Sequence, residues 1–292
     1  MLLLRLSEFK GVPMKNLLKY TFQIWSKYVL TWISVLSFVT WFIPNIPDEL
    51  QFVKIIIGVV LFLILIISFI VIVVCQSKSK EVNLIINNTK VNIKFADIFS
   101  QPGIKVIAFN EYFDTLVDNV VINHTSLNGQ VIDKGLIDAK VFDASVLSNI
   151  DLKKGKENKS RKSGKKQRYE IGQIHKYNDE YFALAFTKFN EKNEAHLSSN
   201  EYSGCLLEMW RQLNTYYSQS IINIPLLGDG ITRILDNTSI TKQELLEIML
   251  ETLKISKMTF KEPSEVNIVL YAGLNNANHK YYDFSKIKMM FK

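Results

Sequence analysis

The chain has 292 residues, a formal charge of +7, a hydrophobic fraction of 48% and two cysteines. That length suits two structural units of roughly 100–200 residues each, and cysteines as far apart as Cys75 and Cys205 exclude a disulfide framework or a cysteine-built metal cluster. The charge is local: residues 153–168 (KKGKENKSRKSGKKQR) hold nine Lys or Arg against the single acid Glu157, a surplus of eight that leaves the rest of the chain near neutral. With no aromatic residue interleaved in that run, nucleic acid is not an expected partner.

The first 80 residues read as a membrane anchor of two helices. Ile55–Val74 (IIIGVVLFLILIISFIVIVV) has no charge, and twenty such residues span about 30 Å as a helix, the thickness of a bilayer's hydrocarbon core. Trp25–Ile46 carries Lys27 and several hydroxyls, but its run Val29–Ile43 is free of charge, with Trp25, Tyr28, Trp32 and Trp41 near its ends. The polar lead-in is too long for a cleaved signal peptide. Transmembrane helices are therefore expected at about residues 25–46 and 55–75. Arg5, Lys10, Lys15, Lys19 and Lys27 precede the first, Lys78 and Lys80 follow the second, and the turn Pro44–Phe52 holds Asp48 and Glu49 without Lys or Arg. The positive-inside rule then predicts a multi-pass protein of the bacterial inner membrane, with both termini and the large domain cytoplasmic and the lipid bilayer as a partner. Thr31, Ser34 and Ser37 are either a polar strip for helix packing or hydroxyls of the kind any such helix tolerates.

From Glu81 the periodicity changes, and 81–292 reads as a second domain. Val82–Ile86 and Lys90–Phe95 alternate like strands around an Asn87-Asn88 turn. Ile104–Phe109, Tyr181–Phe186, Ile221–Pro225 and Val266–Tyr271 are short apolar runs, as buried strands require. Capping boxes at Ser198/Glu201 and Thr241/Glu244 open two helices. The alternation predicts a mixed-sheet α/β sandwich. The lysine-rich run has no apolar residue to bury and is expected to be a mobile insertion, a solvated loop or a contact for anionic headgroups.

The segments that suit ligand chemistry follow strands. In Ile221–Ile231 (IINIPLLGDGI) a strand ends at Pro225, and Gly228 and Gly230 free the backbone before a helix expected to start at Ile231. Free N–H groups beside a helix start suit phosphate oxygens, although Gly-x-Gly alone is equally a tight turn, and without a following Lys-Ser/Thr it is no P-loop. Ala96-Asp97-Ile98 precedes one strand, Asn110–Thr115 (NEYFDT) ends it, and Ser126-Leu127-Asn128-Gly129 follows. His124, His175, His196 and His279 show no metal spacing and read as surface or packing residues, and no metal or catalytic residue is expected.

Taken together these segments resemble a macro domain, the ADP-ribose-binding module, over roughly residues 81–275. The resemblance implies that Asp97 and Ile98 hold the adenine, and that Asn110 closes a central strand. It further implies that Ser126, Leu127, Asn128 and Gly129 form one ligand loop, and that Pro225, Leu226, Leu227, Gly228, Asp229, Gly230 and Ile231 surround the diphosphate and distal ribose. Asp114 either positions a ligand hydroxyl or caps a helix. Tyr271, Tyr281 and Tyr282 pack in the core or supply the ring that stacks on adenine. With Asn110–Thr115 behind a two-helix hairpin, the chain is similar to the membrane-anchored macro-domain effectors of the Thoeris antiphage defence system. That likeness implies a non-enzymatic sensor, without cofactor, of an ADP-ribose-type messenger or its amino-acid conjugate, made by a TIR-domain NAD-consuming enzyme. It implies homo-oligomerisation on activation and membrane disruption. Ala96 stands where the family usually has glycine, and Gly129 is alone where hydrolytic macro domains carry a run of glycines. Binding without turnover is therefore the expectation, with a membrane-anchored ADP-ribosyl hydrolase as the alternative.

Overall fold

A computed structural model describes residues 14–42, 51–77, 81–190, 192–230, 233–234, 240–273, 278 and 281–291, with some side chains of the first two helices and those of 233–234 left aside. The chain divides into two compact units, residues 1–80 with 280–292, and residues 81–279. The boundary at Glu81 coincides with the change of periodicity. The C-terminal segment, expected in the second domain, groups with the helices instead.

In the helical unit, α1 (Met14–Phe42) and α2 (Gln51–Ser77) pack on one another. Trp25 Nε1 donates to Ser68 Oγ at 3.0 Å and its ring meets Phe69 edge-on at 5.5 Å. A short helix α7 (Phe284–Met290) completes the unit. Asn16 Nδ2 donates to Asp283 Oδ2 at 2.8 Å, and Lys288 Nζ donates to Gln76 Oε1 at 3.1 Å. The hydroxyls of Thr31, Ser34 and Ser37 turn back on the carbonyls of Lys27, Leu30 and Ile33 at 2.8–2.9 Å, the local bond open to any helical Ser or Thr. Two helices in hairpin order were expected, but their membrane-spanning role is overturned. Among the described residues no helix is long and apolar enough to cross a membrane. The multi-pass inner-membrane location falls with that finding. Residues 43–50, which hold most of the expected turn, and 78–80 lie outside the described residues.

The second unit is built on a mixed sheet. Its strands are β1 (Glu81–Ile86), β2 (Thr89–Phe95), β3 (Ile104–Asn110), β4 (Ile174–Lys176), β5 (Tyr181–Phe189), β6 (Ala195–Leu197), β7 (Ile222–Pro225), β8 (Arg233–Ile234) and β9 (Val266–Leu270). Their order is β1-β2-β9-β7-β3-β5-β6-β8, with β4 also on β5. The β1–β2 hairpin closes through Asn87 and Asn88 at φ 50° and 56°, the left-handed pair that a tight hairpin needs and that Asn tolerates. Strands β2, β9, β7, β3 and β5 are all parallel, so five carboxyl ends share one edge. That edge is where open α/β sheets bind ligands.

Both faces of the sheet are covered. On one lie α3 (Leu127–Asp133) and α4 (Ala139–Ser148), whose Val131, Phe142 and Val146 join Ile107, Phe109, Ala183, Ala185 and Val269 in one buried cluster. The other carries α5 (Ser199–Tyr216) and α6 (Lys242–Ser256), each opened by the expected capping box. Tyr202 of α5 meets Phe186 of β5 edge-on, and Trp210 Nε1 donates to Thr252 Oγ1 of α6 at 3.1 Å. Across the sheet, Asn92 Nδ2 donates to Asn267 Oδ1 and Asn267 Nδ2 to Asn223 Oδ1, at 3.0 and 2.9 Å. Asn223 Nδ2 then reaches the carbonyls of Pro102 and Ile104. Because each of these amides has a partner only in this alignment, the row fixes the register of three parallel strands.

The lysine-rich insertion, expected to be a mobile loop, is instead paired along its length. Its legs pair, with Gly155 N–H donating to Arg168 O (2.9 Å), Asn158 N–H to Lys166 O (2.8 Å) and Glu170 N–H to Lys153 O (3.0 Å). The polar composition gave no hydrophobic reason to fold, and the segment is instead tied down by the buried ion pair described below. The helix expected from Ile231 is also not found as such: Ile231 lies outside the described residues and Arg233–Ile234 is a strand paired with β6.

Candidate ligand-binding site

Three of the four expected loops leave the carboxyl edge of the parallel strands, from β2, β3 and β7. After β2, Asp97 caps a single 3-10 turn, Ile98–Ser100, accepting the Phe99 N–H at 3.1 Å. Ile98 is buried in the main cluster while Asp97 is exposed. Asp97 Oδ2 makes no bond among the described residues and stays available to an external donor.

After β3 the register with β5 slips by one residue between Phe109 and Asn110, a bulge of the kind that re-aims side chains beside binding sites. Asn110 is buried, and both polar ends of its side chain bind its own turn. Its Oδ1 accepts the N–H groups of Tyr112 (3.0 Å) and Asp114 (3.2 Å), and its Nδ2 donates to Asp114 Oδ2 at 2.9 Å. Asp114, 1% exposed, pairs with Arg161 Nη2 at 2.7 Å. Neither residue offers a free polar atom at the surface, so both shape the turn rather than reach out from it. Beside them Glu111 is buried, and burial pushes its carboxyl up from the usual range, opposed by the Phe189 N–H and by Arg168.

The loop before α3 is pinned by Ser126, whose Oγ accepts the Gly129 N–H at 3.1 Å and donates to Asn123 O at 2.6 Å. Leu127 packs on the same cluster as Ala96, Ile98 and Phe99, which brings this loop together with the Asp97 loop. Asn128 is 7% exposed, and its Oδ1 is buried without a hydrogen-bond partner. An orphaned buried acceptor costs about 1–3 kcal/mol unless a donor reaches it. Gly129 is required by close approach, since a Cβ there would lie 2.3 Å from Asn123 O and 3.2 Å from His124 Cα, both backbone atoms. Gly129→Ala is expected to cost about 2 kcal/mol by overpacking and to displace the Ser126–Asn128 segment. Urea denaturation checks it, and a loss below about 0.5 kcal/mol contradicts the packing.

Beyond β7, Leu226 and Leu227 are buried, and Leu227 O accepts from Tyr202 Oη at 2.9 Å. Asp229 pairs with Lys242 at 2.6 Å, which ties the Gly228–Gly230 loop to the start of α6. Ile231 lies outside the described residues. Tyr271, directly after β9, is 69% exposed. Sequence reasoning missed Arg161 and Lys165, which bind the turn after β3, and Asn193, which holds Arg161. The glycine at 164 inside a lysine run was the one signal available. Among the described residues no group of His, Cys, Asp or Glu could hold a metal ion.

A mixed sheet with five parallel strands, loops at their shared carboxyl edge and helices on both faces is the architecture expected of a macro domain. The family model for the macro domain of Thoeris protein ThsA matches residues 91–271. Thoeris protein ThsA of Bacillus amyloliquefaciens (strain Y2) is 38% identical over 275 residues, covering 92% of this chain and 89% of that protein. The chain belongs to the ThsA macro-domain family, and its likeness to that relative extends beyond the macro domain into the helical unit. A solved macrodomain mutant from Oceanobacillus iheyensis aligns with 73% of this chain and 97% of its own at 13% identity, with a TM-score of 0.43.

Proposed function

We propose that this chain is a non-catalytic sensor whose macro unit binds an ADP-ribose-type messenger made by a TIR-domain enzyme, and whose helical unit then drives self-assembly. Membership of the ThsA family carries a role in Thoeris antiphage defence with a signal-binding macro domain. The observation that carries the binding reading is the convergence of the 97–98, 110–114 and 225–230 loops on one carboxyl edge, with an exposed Asp97 carboxylate among them. A carboxylate there suits the exocyclic amino group of adenine, and free backbone N–H groups suit the diphosphate. Asn128 Oδ1 adds an acceptor that a ligand hydroxyl or amine would satisfy.

Binding without turnover fits the same geometry. Asn110 spends its amide on its own turn, and Gly129 alone gives the adjoining loop little freedom to bring a water to the distal ribose. The test is a thermal-shift comparison of ADP-ribose, cyclic ADP-ribose and amino-acid conjugates of ADP-ribose on the whole chain, followed by mass spectrometry of the best ligand. Stabilisation with the ligand recovered intact is the expected result, and it reaches about 2.7 kcal/mol at a hundredfold excess over Kd. Released product makes the chain an ADP-ribosyl hydrolase, and no stabilisation by any of the three removes the sensor reading.

A further inference from the structure

The lysine-rich insertion carries a cation into the protein rather than into solvent. The Arg161 side chain is 5% exposed and its guanidinium carbon lies 3.9 Å from the centre of the Tyr112 ring. Nη2 pairs with Asp114 Oδ2, Nη2 and Nε donate to Asn193 Oδ1 at 2.9 and 3.2 Å, and Nη1 donates to Lys165 O at 2.7 Å. The Lys165 N–H donates to Asp114 Oδ1 at 2.7 Å, and its Nζ joins the Phe113 carbonyl to Asp143. Gly164 permits this approach: it holds φ +85°, and a Cβ there would lie 2.7 Å from Arg161 Nη1 and 2.8 Å from Asp114 Oδ1. Asp114 therefore receives three donors, one each from Arg161, Lys165 and Asn110.

The turn that this arrangement holds is strained. Phe113 sits at φ +51°, a left-handed conformation that a bulky side chain rarely adopts and that persists only where its surroundings over-determine it. Asn110 binds the turn from the β3 side, through the N–H groups on either side of Phe113. The insertion binds it from the other side through Asp114. The exposed lysines 156, 159, 162 and 166 contribute none of these bonds through their side chains.

We propose that residues 161–165 form a clamp that holds the Asn110–Asp114 turn in the shape the ligand site needs, with Arg161 as a positioning residue. This rests on the reading of the carboxyl edge as an ADP-ribose site. It gives the insertion a function that depends on one buried arginine and not on its surface charge.

The test uses the full chain in four forms besides wild type: Arg161→Gln, Arg161→Lys, Asn193→Ala, and a Lys156→Gln/Lys159→Gln/Lys162→Gln triple control. Hydrogen–deuterium exchange reports the Tyr112 and Asp114 amides, and calorimetry reports ADP-ribose affinity. Arg161→Gln is expected to speed exchange at those two amides at least tenfold and to weaken ADP-ribose at least tenfold, while α5 and α6 stay protected. Arg161→Lys restores part of both, since an ammonium reaches Asp114 but not the fork with Asn193, and the triple control matches wild type. Should Arg161→Gln fail to fold, Asn193→Ala gives the milder form of the same two changes. Exchange within twofold of wild type in the folded variants overturns the clamp, and raised exchange with unchanged affinity overturns its positioning role. If wild type binds no ADP-ribose, the exchange measurement still decides whether the clamp exists, and the failure belongs to the ligand reading.

Discussion

Asp114→Ala is expected to remove about 3–5 kcal/mol of folding stability, more than any other single carboxylate change in the sheet unit. The variant would leave the Arg161 guanidinium uncompensated where its side chain is only 5% exposed, and a buried charge stripped of its partner costs that much. It would also strand the Lys165 N–H and the Asn110 amide. Asp114→Asn keeps acceptors in place and loses only the charge, so its loss is expected to be smaller. The pair itself is not a net source of stability in the same measure, because two charges taken out of water largely offset their mutual attraction. A combined Asp114→Leu/Arg161→Met variant is therefore expected to recover part of the loss. Urea denaturation measures all three, and an Asp114→Ala loss under 1 kcal/mol contradicts the buried pair.

The second large effect is on pH. His175 is 3% exposed, edge-on to Phe113 and Phe142. Asn149 Nδ2 can only donate to its Nδ1, so the proton is assigned to Nε2, which faces Ser145 Oγ at 2.8 Å. Burial, aided by the positive charge of Lys165, lowers its pKa from 6.5 to about 4. A depressed histidine pKa means that the unfolded chain binds a proton which the folded chain refuses. Stability from this group is complete above pH 6.5 and falls as pH drops toward 4, by about 1.4 kcal/mol per unit and about 3 kcal/mol in all. Subtracting the curve of His175→Gln from that of wild type isolates this slope from that of the carboxylates. A flat difference between pH 4 and 6.5 rules out a buried neutral histidine here.

How much of this was legible in the sequence depends on which force set each element. The β1–β2 hairpin, the apolar runs of β3, β5, β7 and β9 and the capping boxes of α5 and α6 are local signals, and each lies within a residue or two of its expected start. The loops at 97–98, 110–114 and 225–230 were singled out through their resemblance to a family, and the parallel strand order places all three at one edge. Helices α3 and α4 were not foreseen, being 7 and 10 residues long and held by contact with the sheet rather than by strong periodicity. The insertion failed as an expectation because hydrophobic content was the criterion. What folds it is one arginine on a tyrosine ring beside a buried aspartate some fifty residues earlier in the chain. The helical hairpin shows the converse: an uninterrupted apolar run predicts a helix well, and α2 is one. It does not by itself establish what surrounds that helix.

The central claim is that the carboxyl edge of this sheet binds an ADP-ribose-type ligand. Isothermal titration of ADP-ribose into the full chain tests it most directly, with Asp97→Ala and Gly129→Ala beside wild type. A single site per chain is expected on wild type. Asp97→Ala, which removes only an exposed carboxylate, should weaken binding at least tenfold without altering stability, and Gly129→Ala should weaken it at least as much. No heat from folded wild type with either ADP-ribose or its amino-acid conjugates, or equal affinity in all three proteins, would contradict it.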